Sequence, residues 1–337
     1  MSLPGDNSPP SAFPLLIVSL SNLPVSCAVA LFDSLPSSNF ALSGWVDGKK
    51  LMGKKLAELV RADVAREAAK LAVKPGLAVI LAGDDAASQI YVAGKEKAAL
   101  EAGFTSRIVR LPATVTQEEL VAQIHAFNND ATIHGILVQL PLPKHLNEEQ
   151  ILQAIVAEKD ADGFHYLNQG RLLAGLPTTL PCTPAGVALM LRELSRERSE
   201  YKLEGKHAVV VGRSNIVGKP MAQLLLAGLN MTVSMCHSRT RNLGDFIRSA
   251  DLIVSATGVR GVIDLATMKP GAIVVDVGMH RIDGKVTGDL DLKVAEEKAA
   301  FYTPVPGGVG PMTIAMLLYN TLRNARLLQG KQLVAQG

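Results

Sequence analysis

Aromatic residues make up only 4% of this 337-residue chain, which has a single tryptophan and three cysteines. No basic run is interleaved with aromatics, so a base-stacking nucleic-acid surface is not expected. Cys27, Cys182 and Cys236 are odd in number and far apart. That argues against a disulfide framework and fits a reducing, cytoplasmic compartment. The seven histidines fall at no ligand spacing with cysteines or carboxylates, so no metal site is expected. Formal charge is only +3. Lys and Arg are absent before Lys49, which leaves the first residues without the positive start of a secretory signal or the arginines of a transit peptide. Their apolar stretches, Phe13 to Leu20 and Ala28 to Phe32, are broken by Ser and Pro or too short to span a bilayer, so no membrane association is expected. Residues 1–44, rich in Pro and Ser, read as an extension that is disordered or loosely packed. The folded unit should begin near Gly44-Trp45.

What the chain does have is apolar mass: 48% hydrophobic residues, enough for two domains with proper cores. Lys49 to about Leu71 has the spacing of an amphipathic helix. The apolar run Leu77 to Leu81 then reads as a strand. It leads through Gly83-Asp-Asp85 into a helix that Asp84 or Asp85 can cap and Gly103 can stop. On that helix Ser88, Tyr91 and Lys95 are three and four residues apart, so one face presents a hydroxyl, a phenol and an amine. A second strand is expected at Thr105–Leu111, and a capping-box helix opens at Thr116 with Glu119. His134 to Leu140 reads as a buried strand with Gln139 at its carboxyl end, where ligands gather in open parallel sheets. A polar residue there needs a partner, and Lys95 is a plausible one. Asp160 and Asp162 share a glycine-containing loop. Thr183 and Pro184 read as the start of a helix running to about Leu194.

A second series of alternating strands and helices follows. Strands are expected at His207–Val211, Met231–Cys236, Leu252–Ala256 and Ala272–Val277. Between the first strand and its helix lies Gly212-Arg-Ser-Asn-Ile-Val-Gly218, a turn of the kind that cradles dinucleotide phosphates at a helix N-terminus. Ser214 replaces the middle glycine of the usual pattern. From Arg213 to Gly244 there is no Asp or Glu to hold a ribose 2′-hydroxyl. Arg213 and the strand-end His237-Ser238-Arg239 suit a 2′-phosphate instead, which favours NADP over NAD. Last comes Thr303-Pro-Val-Pro-Gly-Gly-Val-Gly-Pro-Met-Thr313, a stiff, bare-backbone run suited to contact with a planar ligand. A helix from Ile314 to about Leu328 follows it.

Ser88–Lys95, Gly135–Pro143, Asp160–Phe164, Pro181–Pro184, Gly212–Pro220 and Pro306–Ile314 occur in the order and form of one family. Over about residues 45 to 330 the chain resembles the bifunctional methylenetetrahydrofolate dehydrogenase/methenyltetrahydrofolate cyclohydrolases. The resemblance implies an α/β fold of two domains, one catalytic and one Rossmann-like with a parallel sheet, the C-terminal helix returning to the first. Residues 45–180 plus 307–330 would form the catalytic, folate-binding domain and 181–306 the NADP-binding domain. It implies a homodimer that oxidises 5,10-methylenetetrahydrofolate with NADP and hydrolyses the methenyl product to 10-formyltetrahydrofolate, a one-carbon donor for purine synthesis.

Carried over by position, the catalytic set would be Lys95, Tyr91, Gln139 and Asp162: Lys95 the central acid/base, Tyr91 stacking on the folate and assisting, Gln139 poising Lys95, and Asp162 holding the pterin. Ser88, Gly307, Gly308, Val309 and Pro311 would complete the folate side. Gly212, Arg213, Ser214, Ile216, Gly218, Ser238, Arg239, Thr257 and Gly258 would bind the cofactor. Three other readings stay open at this point: a member with only the dehydrogenase activity, a Rossmann dehydrogenase of the shikimate or amino-acid type, and a non-catalytic folate- or nucleotide-binding protein.

Overall fold

The computed structural model describes residues 35–36 and 44–336. In chain order the first part carries β1 (Val46–Asp47), β2 (Lys50–Leu51), α1 (Gly53–Ala68), β3 (Gly76–Ala82) and α2 (Ala86–Glu101). β4 (Thr105–Leu111), α3 (Gln117–Asn129), β5 (Gly135–Val138), α4 (Glu148–Gln153) and α5 (Tyr166–Leu173) follow. The second part opens with α6 (Cys182–Glu197), β6 (His207–Val211), α7 (Gly218–Gln223), β7 (Thr232–Cys236), α8 (Leu243–Ser249) and β8 (Leu252–Ser255). It ends with β9 (Ile273–Asp276), β10 (His280–Ile282), β11 (Lys285–Thr287), α9 (Leu292–Lys298), β12 (Phe301–Tyr302) and α10 (Val309–Gln336).

Two main sheets result, parallel except for β1, which runs antiparallel to β2, and β10 and β11 pair as a separate antiparallel ribbon. The first has three strands in the order β4-β3-β5, and the second has seven in the order β1-β2-β12-β9-β8-β6-β7. β3 is buried along its whole length, as a continuous apolar run in a parallel sheet requires. Its alternate residues serve two cores. Leu77, Val79 and Leu81 face a central helical layer, while Ala78 and Ile80 pack with Leu120, Ile124 and Phe127 of α3. β6 divides in the same way: Ala208 and Val210 join the central core, Val209 and Val211 an outer one with Ile247 of α8. The central layer is α1, α6 and α10, whose Leu56, Leu191 and Leu318 are fully buried between the two sheets. The C-terminal helix therefore returns to the first sheet, as expected, and packs on α1, α6, α2, β3 and β5.

Several boundaries differ from the sequence reading. α1 starts at Gly53 rather than Lys49, because Lys50-Leu51 pairs with Val46-Asp47 in a hairpin turned at Gly48. That hairpin lies on the edge of the second sheet, with Lys50 beside Tyr302. α6 opens at Cys182, and Thr183 does not cap it; the Thr183 hydroxyl instead meets that of Thr313 at 2.9 Å. α10 begins at Val309, five residues before Ile314, since a proline in a first helical turn forfeits only an N–H that has no helical partner. Of the expected extension, Leu35 is buried in the central core and Pro36 O accepts from Arg192 at 2.6 Å. The rest of residues 1–43 lies outside the described residues. Trp45 is wholly buried, its indole N–H donating to Glu197 at 2.6 Å.

Because the central layer serves both sheets, a cavity there weakens the whole molecule. Leu318→Ala should lower stability by about 2–5 kcal/mol, seen as a lower denaturant midpoint. An unchanged midpoint would contradict the shared-core description.

Candidate active site

β3 ends at the Gly83 turn, and Asp85 caps α2 by accepting from Ser88 N at 2.7 Å. The Ser88 hydroxyl also bonds Asp85, so this buried serine serves the cap. Bonds from these donors hold the Asp85 carboxyl below its usual range. One turn on, Tyr91 is half-buried and its hydroxyl bonds the sulfur of Met279, just after β9. Residues of both sheets thus meet at Tyr91. Burial raises the Tyr91 phenol above its ordinary value, with Arg281 opposing.

Lys95 is 8% exposed and donates to Gln139 Oε1 at 2.9 Å. Gln139 in turn donates its Nε2 to Leu140 O at 2.6 Å, which fixes which end of the amide faces Lys95. The sequence expectation of a Lys95–Gln139 pair is thus met in the geometry. Asp162 lies near enough for the Lys95 charge to act on its carboxyl.

The Asp162 side chain is partly exposed but densely surrounded by protein. Desolvation pushes its carboxyl up to about 6; Lys95 opposes the rise, Asp160 adds to it, and a bond with Cys182 opposes it. Asp160 is a structural neighbour, accepting from Gly163 N at 2.9 Å, His165 N at 2.8 Å and Asn168 Nδ2 at 2.9 Å. Cys182 is buried, and desolvation followed by the Asp162 charge raises its thiol well above the ordinary value.

The segment linking the second sheet to α10 crosses back to the first part here. Gly307 O accepts from Lys54 N at 2.9 Å, and Gly308 N donates to Pro304 O at 2.8 Å. Gly53 lies so close to Gly308 O that a Cβ would overlap it. Val309 is buried, and Pro311 is half-buried in the first turn of α10.

The nucleotide-type turn follows β6. Gly212 has φ +132°, and a Cβ there would overlap Ala256 O beyond β8. Gly218 in turn sits against Gly212 O, leaving no room for a Cβ. Ser214 Oγ accepts from Val217 N at 3.1 Å and Gly218 N at 3.3 Å, so the serine that replaces a glycine caps the turn. Arg213 and Ser214 are exposed and Ile216 half-buried. Gly212 N donates to Cys236 O at 2.9 Å, which brings this turn beside the end of β7, where Ser238 and Arg239 are exposed.

Thr257 and Gly258 follow β8, and their backbone N–H groups are committed to Asp289 at 3.1 and 3.2 Å. Asp289 also accepts from Ser255 and Thr257 hydroxyls and from His280 Nε2 at 2.7 Å. Asp276 mirrors it, accepting from Gly278 N, Asp289 N and Leu290 N. Sequence reasoning missed this pair. Its available signal was the reciprocal setting Asp276-Val-Gly278 and Gly288-Asp289, where each glycine faces the other aspartate too closely for a Cβ. Met279 was missed as well, because nothing local marks a residue that reaches across to another sheet. Among the described residues no three His, Cys, Asp or Glu side chains converge as a metal ion would need. Nor is any helix among them long and apolar enough to cross a membrane.

Two α/β units meeting over a buried amine, an amide and a perturbed carboxylate, with a phosphate-type turn on one of them, define a nucleotide-dependent enzyme. The comparisons narrow the class. Residues 51–162 match the tetrahydrofolate dehydrogenase/cyclohydrolase catalytic domain and residues 181–329 the NAD(P)-binding domain of the same family. A Streptococcus agalactiae relative, the bifunctional protein FolD, is 53% identical over 281 residues, covering 83% of this chain and 96% of its own. The crystal structure of FolD from Campylobacter jejuni superposes with a TM-score of 0.77 at 47% identity, covering 82% of this chain and 98% of that one. A Trypanosoma brucei enzyme crystallised with NADP cofactor and inhibitor gives a TM-score of 0.76 at 38% identity, covering 82% and 97%. The chain belongs to the tetrahydrofolate dehydrogenase/cyclohydrolase family.

The overlap at Gly212 has a direct consequence. Gly212→Ala forces a strained backbone against Ala256 O and should weaken NADP binding about tenfold or more, measured by titration calorimetry. Wild-type affinity would show that the turn does not hold the nucleotide.

Proposed function

We propose that this protein oxidises 5,10-methylenetetrahydrofolate with NADP and then hydrolyses the methenyl product to 10-formyltetrahydrofolate, both steps in the cleft at Lys95. The observation that carries the reading is the buried Lys95–Gln139 pair, whose charge acts on the Asp162 carboxyl, in a chain that also carries a nucleotide-type turn. A protein that only bound folate or nucleotide would have no use for a buried amine held by an amide. A lone Rossmann dehydrogenase would not need the 303–313 run that α1 locks in place.

The residues present fit NADP. Gly212 and Gly218 leave bare backbone at the turn, exposed Arg213 lies in the turn, and exposed Ser238 and Arg239 follow β7, where an acid would stand for NAD. Thr257 and Gly258 have their backbone N–H groups engaged by Asp289, so they shape the cofactor wall rather than donate to phosphate. When bound, NADP accepts the hydride from the methylene carbon.

The chain supplies orientation and proton handling. Asp162 accepts hydrogen bonds from the amino and ring N–H groups of the pterin. Tyr91 lies along the folate ring, and Gly307, Gly308, Val309 and Pro311 form the facing wall. The methenyl product is already an electrophile, so its hydrolysis needs a placed water and a group to take its proton. Lys95 moves that proton, and Gln139 holds the amine in position. Ser88 acts indirectly, by fixing the start of α2. The same reading makes the protein a cytoplasmic homodimer supplying one-carbon units. Sparse cysteine supports the compartment, and dimerisation rests on family likeness.

Two tests follow. Lys95→Met should lower methenyl hydrolysis by about 100-fold or more, as expected for loss of an acid/base group, while leaving the affinity for NADP near wild type. Following NADPH and methenyl absorbance together reads both activities, and hydrolysis at the wild-type rate would sink the Lys95 assignment.

The second test uses pH. The Asp162 carboxyl is raised to about 6 in the folded protein, so its charged form is lost as pH falls through that value. The kcat/KM for methylenetetrahydrofolate should therefore be flat above about 6, fall below it, and lose this inflection in Asp162→Asn. An unchanged profile in that variant would remove Asp162 from the folate site.

A further inference from the structure

Asp162 sits in a loop held from both sides, and one of the holders is remote in sequence. Asn320, on α10, is completely buried. Its Nδ2 donates to Ala161 O and to Leu180 O, each at 2.9 Å, and approaches Cys182 Sγ at 3.5 Å. Two carbonyl acceptors fix the amide's orientation, because the oxygen end would face them with no proton to share. The same amide thus staples the residue before Asp162 to the irregular segment before α6.

The staple works on a segment that has little other freedom. Residues 159–161 run beside β5, with Ile136 N donating to Lys159 O at 2.7 Å and Ala161 N to Ile136 O at 3.2 Å. Gly163, directly after Asp162, has φ +76° and lies against Leu180 and Pro181 too closely for a Cβ. Asp160 grips the far side through Gly163 N and His165 N. The Cys182 thiol, which bonds the Asp162 carboxyl, also reaches Ala161 O at 3.3 Å. On the Leu180–Cys182 side of Asp162, Asn320 touches Ala161 O, Leu180 O and Cys182 Sγ at once.

The amide is an expensive choice for a purely structural contact. Asn320 Oδ1 has no hydrogen-bond partner among the described residues, and neither has Nδ2 of Asn324 one turn on. What sets Asn320 apart is its donor end, since an apolar side chain there would leave the Ala161 and Leu180 carbonyls without it.

We propose that Asn320 is a positioning residue for substrate: through Ala161 and Leu180 it sets the Asp162 carboxylate at the spacing the pterin edge requires, without touching the folate itself. The inference rests on the assignment of Asp162 to folate in the proposed function. Asn324 provides the internal control. It is equally buried on the same helix, but it accepts from Thr179 Oγ1 at 3.1 Å and holds no part of the 160–163 loop.

The experiment compares Asn320→Leu, Asn320→Ser, Asn324→Leu and Asp162→Ala by steady-state kinetics with methylenetetrahydrofolate and NADP. Asn320→Leu keeps the shape and removes both donors. The KM for methylenetetrahydrofolate should rise about tenfold, with kcat and the KM for NADP within about twofold of wild type. Asn320→Ser, milder on folding, should show a smaller rise of the same kind. Asn324→Leu should leave the folate KM unchanged, whatever it does to the melting temperature. A folate KM near wild type in both Asn320 variants, or one rising alongside the NADP KM and equally in Asn324→Leu, would overturn the proposal. A wild-type folate KM in Asp162→Ala would instead overturn the assignment on which it stands.

Discussion

Two sheets whose central strands β3, β6, β8 and β9 are buried on both faces demand more cover than a single chain of alternating helices readily supplies, and sharing one helical layer meets that demand. α1, α6 and α10 bury Leu77, Val79 and Leu81 of the first sheet on one side and Val210, Val254 and Val275 of the second on the other. The chain must therefore return at its end to where it began, and α10 does so. The carboxyl ends of β5 and β9 are then held across from each other by one continuous core. Tyr91 meeting Met279 is the local outcome of that global constraint.

Close approach is the second ingredient. α1 can reach the 303–308 segment because Gly53 and Gly308 leave backbone against backbone there. The bond from Lys54 N to Gly307 O then ties the first turn of α1 to the strand exit of the second sheet. The wall expected to face folate is thus set by three elements at once, β12, α1 and α10. Such a wall loses little further entropy on binding a flat ligand, because the main-chain ordering has already occurred during folding.

Much of this was legible in the residues. Periodicity placed β4 and β6 at their observed limits, and the capping box at Thr116 located α3. Burial in a polar strand end pointed from Gln139 to Lys95, because an isolated amide in an apolar strand needs a partner. The failures share a cause. The hairpin at Val46–Leu51 is short and depends on β12, some 250 positions away, so a helical spacing that ran through Lys50 and Leu51 was misleading. Thr183 looks like a cap until α10 brings Thr313 to its hydroxyl. Asn320 gave no local signal, since what it holds is remote in sequence, and for Asp289 the only signal was the glycines that flank the pair. Local physics sets element type, whereas long-range pairing sets which polar groups are already engaged.

The buried carboxylates show why that distinction matters for function. Burial alone would raise Asp289, yet bonds from His280, Thr257, Ser255 and Gly258 outweigh it and hold its carboxyl below the usual range. That charge stabilises the fold above the unfolded carboxylate's titration range, and the contribution is lost as pH falls through the lower folded value. Asp162 has the opposite sign. Its folded value of about 6 lies above the unfolded one, so the stability linked to its proton is present in acid and lost as pH rises through about 6. At neutral pH the fold would be more stable without the Asp162 charge, whereas it depends on that of Asp289. The Asp289 oxygens are already occupied by donors from its own loops. Asp162 has a single weak thiol bond and an amine that acts on it through charge, leaving acceptor capacity for a ligand with N–H groups to offer. A carboxylate kept charged against the preference of the fold, with the Lys95 charge acting on it, is a cost that the proposed folate contact would offset.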